Sequence, residues 1–191
     1  MSYLSKNSAL PSLIILDRDG VINEDSDQYI KSADQWHDIQ GSIQAIAELT
    51  KLHIPIAIAT NQSGLARGYF DLITLYEMHS KMLNKVKALN GMINYIAYCP
   101  HGPNDQCHCR KPNIGLLEEI SNKLQIPLNQ KVFFIGDSYK DIQAAITANI
   151  TPILVKSGKG KKTLKTHPDL EGNINIYDNL YDFVQTLHPE V

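Results

Sequence analysis

An excess of charge of either sign is missing from this sequence: 18 Lys and Arg face 20 Asp and Glu, a formal net charge of −2 with His neutral. That balance sets aside a strongly basic nucleic-acid binder as the first reading. Long apolar runs are missing too, and the few short ones fall well below the length of a membrane-spanning helix. The first residues, Met1-Ser2-Tyr3-Leu4-Ser5-Lys6, lack the apolar core of a secretory leader, so a cytoplasmic protein that binds no membrane is expected. Cysteine is scarce, three in 191 residues, and all three fall between Cys99 and Cys109. A disulfide framework would spread them along the chain, so the cluster reads first as a metal ligand set. There is no internal repeat and no Pro/Ser linker, and the length suits a single domain, 1–191.

What is present is an alternation of strand-like and helix-like stretches. Leu13-Ile14-Ile15-Leu16 has the composition of a strand buried on both faces. Ile43, Ile46, Leu49 and Leu52 recur at helical spacing, and Ile54 to Ala59 reads as the next strand, with Pro55 at its beginning. Asp71 suits the N-cap of a long helix that aligns Leu72, Leu75, His79, Met82, Val86 and Leu89. Met92–Tyr98 follows as a strand, Gly115–Leu124 as a helix, Val132–Ile135 as a strand and Tyr139–Ala148 as a helix. Pro152–Val155 is the last core strand, Lys156–Lys165 a solvated Gly/Lys-rich loop, and a closing helix carries Leu180, Phe183, Val184 and Leu187. Such alternation implies a doubly wound, mostly parallel α/β sheet with helices on both faces.

Ligands of such sheets bind beyond the carboxyl ends of the strands. Three predicted strands end there in polar sets: Asp17-Arg18-Asp19-Gly20, Thr60-Asn61-Gln62-Ser63-Gly64, and Gly136-Asp137 with Asp141. Arg110-Lys111 follows the cysteine loop. Asp17 and Asp19, one residue apart on extended backbone, point their carboxylates to the same side, an arrangement that needs a cation or a proton. Mg²⁺ would answer with oxygen ligation, and Asp137 could add a third contact. An aspartate can also attack phosphorus while a second carboxyl protonates the leaving oxygen and later activates water. Taken alone, Asp-x-Asp-Gly is equally a turn, Thr60-Asn61 a hydrogen-bonded loop and Arg110-Lys111 an exposed basic pair. Together they supply what a transferring phosphoryl group requires: Thr60, backbone N–H groups near Asn61 and Gln62, Lys111 as donors, and Arg110 as a planar fork.

In this order and spacing, Asp17-x-Asp19-Gly20, Thr60-Asn61, Lys111 and Gly136-Asp137-x-x-x-Asp141 resemble the four motifs of the haloacid dehalogenase superfamily of phosphatases, over about residues 12–156. The resemblance implies Asp17 as nucleophile, Asp19 as general acid/base, and Thr60 and Lys111 on the phosphoryl oxygens. It also implies Mg²⁺ bound by Asp17, the Asp19 carbonyl and Asp137, with Asp141 behind them orienting the metal site or Lys111. No interval between motifs holds a cap domain, so an open site is expected, bordered by a flap at Glu24–Trp36, the Gln62–Gly68 turn and the cysteine loop. Asp25, Tyr29 and Trp36 lie in that flap; Asp25, Asn61, Gln62, Ser63 and Arg110 are the candidate substrate contacts.

Cys99-Pro100-His101 and Cys107-His108-Cys109 place three thiols and two imidazoles within eleven residues. Zn²⁺ takes four such ligands, and the set assigned is Cys99, His101, Cys107 and Cys109, with His108 turned away and the metal structural. A reduced, metal-free loop is the plainer alternative. Cys-Pro-His followed by Cys-x-Cys-Arg-Lys-Pro resembles the zinc-containing branch of the superfamily that holds heptose-bisphosphate and histidinol-phosphate phosphatases. Thr60-Asn61-Gln62-Ser63-Gly64-Leu65-Ala66-Arg67-Gly68 resembles the heptose side more. That resemblance implies loss of the 7-phosphate from D-glycero-D-manno-heptose 1,7-bisphosphate on the route to lipopolysaccharide or other surface glycans. Ser138 departs from it, standing where a lysine is often found. Histidinol phosphate is the rival substrate, and a catalytically silent binding module on the same fold is the rival of another class. A monomer is expected.

Overall fold

Residues 10–187 are described by the structure, a computed structural model. Met1–Lys6 and the outermost ends of the expected 1–191 domain lie outside the described residues. The elements run β1 (Leu13–Leu16), α1 (Ser42–Lys51), β2 (Ile56–Asn61), α2 (Leu72–Ala88), β3 (Tyr95–Cys99), α3 (Gly115–Leu124), β4 (Val132–Gly136), α4 (Tyr139–Thr147), β5 (Thr151–Val155), α5 (Gly160–Thr166), β6 (Asn175–Tyr177) and α6 (Leu180–Gln185). The strands form one sheet in the order β3-β2-β1-β4-β5-β6, and every adjacent pair is parallel. The chain therefore reverses its winding between β1 and β4, which places the ligand crevice at their carboxyl ends.

β1 shows why so short a segment anchors the fold. All four of its residues are fully buried, because β2 and β4 flank it and helices cover both faces. Ile14 and Leu16 enter the larger core with side chains of α1, α2 and α6. Leu13 and Ile15 enter the opposite core against Leu116, Leu117 and Ile120 of α3 and Ala144 and Ala145 of α4. The period-two alternation of a strand thus joins two apolar layers. Asp71 caps α2 as its sequence position suggests, accepting the Thr74 N–H at 2.8 Å.

Two expectations change. β2 and β3 begin at Ile56 and Tyr95, two and three residues later than the apolar runs suggest, and Asn94 closes the gap by accepting the Ile56 N–H at 2.9 Å. The Lys156–Lys165 segment is not an open solvated loop: its second half forms α5, and Thr163 Oγ1 donates to the Asp137 carbonyl at 2.8 Å. β6, only three residues long and half-buried, escapes the sequence pattern and moves the sheet edge out beyond β5. Among the described residues, no helix is long and apolar enough to cross a membrane.

Candidate active site

Asp17 continues directly from β1, its N–H donating to the Ile135 carbonyl of β4 at 2.9 Å. Its Oδ2 lies 2.8 Å from Lys111 Nζ, and the same ammonium lies 2.7 Å from Asp141 Oδ1. Lys111 is 2% exposed and sits 5.3 Å above the Phe134 ring. Burial alone would lower its pKa, but Asp141 and Asp17 on either side hold it above the ordinary lysine range. Asp141 is fixed from its own helix terminus: Ser138 N–H and Oγ donate to its Oδ2 at 3.0 and 2.6 Å. Ser138, the departure noted in the sequence, is thus the N-cap of α4 and part of a capping box with Asp141.

Carboxylate oxygens of Asp17, Asp137 and Asp141 lie within 4.8 Å of one another, with Lys111 the ammonium paired to two of them. Burial, with Asp141 beside it, pushes Asp17 up to about 7 against the pull of Lys111. Burial, then Asp141 and Asp17, push Asp137 up to about 8. The cluster as built is therefore short of positive charge, and a hard divalent cation fits its all-oxygen donor set. Backbone approach adds to the cradle. Gly20 has φ +84°, and a Cβ there would stand 2.0 Å from Asp137 Oδ2, so the turn after Asp19 needs glycine to close on Asp137.

Asp19 meets a second set of partners. Arg18 Nε and Nη2 donate to its Oδ1 at 3.2 and 2.9 Å, and Nη2 also to Oδ2 at 3.0 Å. Asn23 Nδ2 donates to Oδ1 and Gln62 Nε2 to Oδ2, both at 2.9 Å. Burial would raise the Asp19 pKa, but the Arg18 guanidinium and these amides hold it below the usual carboxylate range. Gln62 Nε2 also donates to Thr60 Oγ1 at 2.9 Å, which leaves the Thr60 hydroxyl proton free to be donated.

The turn after β2 differs from its sequence reading in what it offers a phosphate. The Gln62 N–H donates to the Cys99 carbonyl at 2.8 Å, so it does not face a phosphoryl group, and its amide is committed to Asp19, Thr60 and Arg18. The Asn61 amide forms a reciprocal pair with the Lys111 peptide, donating to the carbonyl and accepting the N–H, both at 3.1 Å. These two side chains bind protein groups. Ser63 is buried beside them, its carbonyl accepting the Arg67 N–H at 3.1 Å.

Around the mouth stand the flap, the cysteine loop and the segment after β5. Asp25 Oδ2 pairs with Lys159 Nζ at 2.7 Å, while the Lys159 N–H donates to Asp137 Oδ2, also at 2.7 Å. The flap meets Tyr69, just past the Gln62–Gly68 turn, through an edge-on Tyr29–Tyr69 contact at 4.9 Å, and Trp36 is wholly buried at its foot. Arg110 is half-buried, its Nη1 donating to the His101 carbonyl at 3.1 Å. Lys159, Arg18 and Asn23 were not singled out from the sequence as site residues. For Arg18 a signal existed, a cation between two carboxylates; for Lys159 none did, because its neighbours come from distant segments.

In the cysteine loop the predicted donors converge. Cys99 Sγ lies 3.6 Å from His101 Nδ1 and from Cys107 Sγ, Cys109 Sγ lies 3.6 Å from Cys107 Sγ, and His101 Nδ1 lies 3.2 Å from Cys109 Sγ. A ZnS₃N tetrahedron with bonds of about 2.3 and 2.0–2.1 Å has edges of about 3.5–3.8 Å; the three 3.6 Å edges match it and the His101–Cys109 edge is a few tenths shorter, so the donor set suits a closed tetrahedral ion. Burial and the two neighbouring thiols push Cys109 up to about 12, a resistance to ionisation that a bound cation would remove. His108 turns outward, 2.6 Å from Glu118.

Comparison with known proteins agrees with this geometry. The family model described as HAD-hydrolase-like matches residues 108–183. A Pseudomonas putida protein named D-glycero-beta-D-manno-heptose-1,7-bisphosphate 7-phosphatase is 51% identical over 153 residues, covering 80% of this chain and 87% of its own. Its namesake from Pseudomonas aeruginosa is 49% identical over 169 residues, covering 88% and 93%. The crystal structure of the D,D-heptose 1,7-bisphosphate phosphatase of B. bronchiseptica, complexed with magnesium and phosphate, superposes with a TM-score of 0.88 at 44% identity, over 92% of this chain and 97% of that one. At this identity, and covering 80–92% of the chain, this likeness means that the chain belongs to the haloacid dehalogenase superfamily, in its family of heptose-1,7-bisphosphate 7-phosphatases.

Proposed function

We infer that this chain is a Mg²⁺-dependent phosphomonoester hydrolase that converts D-glycero-D-manno-heptose 1,7-bisphosphate to the 1-phosphate, in the supply of heptose for lipopolysaccharide. The observation that carries it is the buried Asp17–Lys111–Asp141–Asp137 cluster at the switch point of the sheet, with Asp19 alongside. The activity for which relatives at 49–51% identity are named supplies the substrate.

The residues divide the work as follows. Asp17 attacks the phosphorus of the 7-phosphate, and its new O–P bond replaces the bond to the sugar oxygen. Asp19 reacts from its protonated form, a minority where its partners favour the carboxylate: it gives that oxygen a proton as it leaves, then takes one from the water that attacks the aspartyl-phosphate. Inorganic phosphate departs and the Asp17 carboxylate is restored. Lys111 and the Thr60 hydroxyl hold phosphoryl oxygens, and Asp141 keeps the Lys111 ammonium in place. Mg²⁺ held by Asp17, Asp137 and the Asp19 carbonyl neutralises charge on the transferring group when bound. Cys99, His101, Cys107 and Cys109 would hold Zn²⁺, which would brace the loop that carries Arg110 and Lys111.

On the substrate side, Arg110 is assigned to the remote phosphate, and Asp25 and Ser63 to the sugar and the rim of the phosphoryl site. Asn61 and Gln62 act through Lys111, Thr60 and Asp19. A monomer in the cytoplasm completes the reading, and three cysteines placed as thiol ligands suit that reducing compartment. The reading is tested by kcat/KM for heptose bisphosphate and for histidinol phosphate, measured side by side with Mg²⁺. Heptose bisphosphate is expected to be preferred; preference for histidinol phosphate would overturn the substrate, and turnover unchanged by chelation would overturn the metal dependence.

A further inference from the structure

Arg18 is among the largest fully buried side chains of the molecule, 1% exposed, and it stands beside a site built to receive anions. A guanidinium is removed from water only at considerable cost, so its partners indicate what it is for. Its fork closes on both oxygens of Asp19, and Nη2 also reaches Gln62 Oε1 at 3.2 Å. With the Asn23 and Gln62 amides added, Asp19 accepts five contacts on the roughly four acceptor sites of a carboxylate. A leaving-group oxygen can approach Asp19 only by taking one of those places. The neutral amides of Asn23 and Gln62 are held less strongly than a charge-assisted fork, so one of them yields first.

The core side of the arginine tells the same story. Nη1 is buried and has no hydrogen-bond partner among the described residues, and the same is true of Nε2 of His79 on α2. Burial, and then the charge of Arg18, press the His79 pKa down to about 3, so this ring is neutral. The arginine is thus buried on the carboxylate, with Nη1 unpaired.

We propose that Arg18 is the positioning residue for proton transfer: its fork holds the Asp19 carboxylate at the orientation from which it reaches the leaving oxygen and, later, the attacking water. The proposal rests on the assignment of Asp19 as acid/base in the reading above. It concerns steps in which a proton moves, and a substrate whose leaving group departs as a stable anion separates them from the rest. With an alkyl phosphate, the Asp17 O–P bond forms, the P–O bond to the alkyl oxygen breaks, and Asp19 supplies the proton. With p-nitrophenyl phosphate the same bonds form and break, and nitrophenolate leaves unprotonated.

The test is single-turnover formation of the aspartyl-phosphate by excess enzyme with Mg²⁺, for wild type and Arg18→Met, on both classes of substrate. Arg18→Met is expected to slow the alkyl phosphate by about 10²-fold, the scale of a misplaced general acid. It is expected to leave p-nitrophenolate release within about threefold of wild type. Equal losses on the two substrates would make Arg18 a structural residue of the whole site and overturn the proposal, as would no loss on either. Circular dichroism checks the fold. Should Arg18→Met fail to fold, Arg18→Lys, which keeps a buried cation but cannot form the fork, is measured for the same split. Wild-type turnover of heptose bisphosphate tests the functional reading by itself. The Arg18 comparison runs on any alkyl phosphate the wild type cleaves, so the two fail separately.

Discussion

Lys111 is the residue on which the site turns. One ammonium lies within 2.8 Å of Asp17 and 2.7 Å of Asp141, and its peptide is clasped by Asn61. Asp17→Asn should abolish turnover, because a neutral amide is a poor nucleophile and weakens the cation site; near-normal kcat with Mg²⁺ would refute the aspartyl-phosphate route. Asp141→Asn should keep a chemically intact Asp17 yet lower kcat, since Lys111 loses a charge-assisted partner of ~1.5–3 kcal/mol, equivalent to roughly 10–150-fold. Unchanged kcat in that variant would show that Asp141 does not position Lys111. The pH dependence follows from the same carboxylates. Their ordinary pKa is 3.8, and the fold raises Asp17 to about 7 and Asp137 to about 8. Between about pH 4 and pH 8 the folded, metal-free chain therefore binds more protons than the unfolded one, and its stability falls as pH rises. Mg²⁺ favours the ionised forms, so the increase in Tm on adding it should be larger at pH 8 than at pH 5; an equal increase would contradict this picture of the site.

At the scale of elements, the cysteine loop is where metal, local folding and catalysis meet. It leaves β3 at Cys99, has little apolar material of its own, and delivers Lys111 to Asp17. Purified protein is expected to carry close to one zinc per chain, and Cys107→Ser to lower both Tm and activity, because metal binding and loop structure form together. Protein prepared without chelators that contained no zinc by metal analysis would remove this assignment. The strands that position the site were legible because Leu13–Leu16 and Val132–Ile135 are apolar throughout, as central parallel strands must be. Asp17 and Asp137 were legible because each directly follows a strand, and Thr60 because it lies at the end of one. β6 was not, since Asn175-Ile176-Tyr177 gains strand structure only by pairing with β5. Nor was the contact of Lys159 with Asp25 and Asp137, which joins three segments far apart in sequence and whose lysine looks like any other in a basic run. The commitment of Gln62 to Asp19 and Thr60 was hidden for a different reason: a glutamine beside a phosphate motif reads as a ligand until its own partners are known.

Across the whole molecule, six parallel strands bring the Asp17, Thr60 and Asp137 ends to one edge, and the described residues between them form no cap domain. An open site has little grip on a bare sugar, so the remote phosphate is the natural handle, and its binding energy can be used in the transition state. Arg110→Ala should reduce kcat/KM for the bisphosphate by roughly 10–150-fold, and much less for the 7-monophosphate of the same sugar. Equal losses would refute the division of labour between Arg110 and Lys111. The central claim is the identity of the bond that breaks, and a ³¹P NMR time course of heptose 1,7-bisphosphate with enzyme and Mg²⁺ reads it directly. The account predicts that the 7-phosphate signal is replaced by inorganic phosphate while the 1-phosphate signal persists; loss of the 1-phosphate first, or no change in either signal, would contradict it.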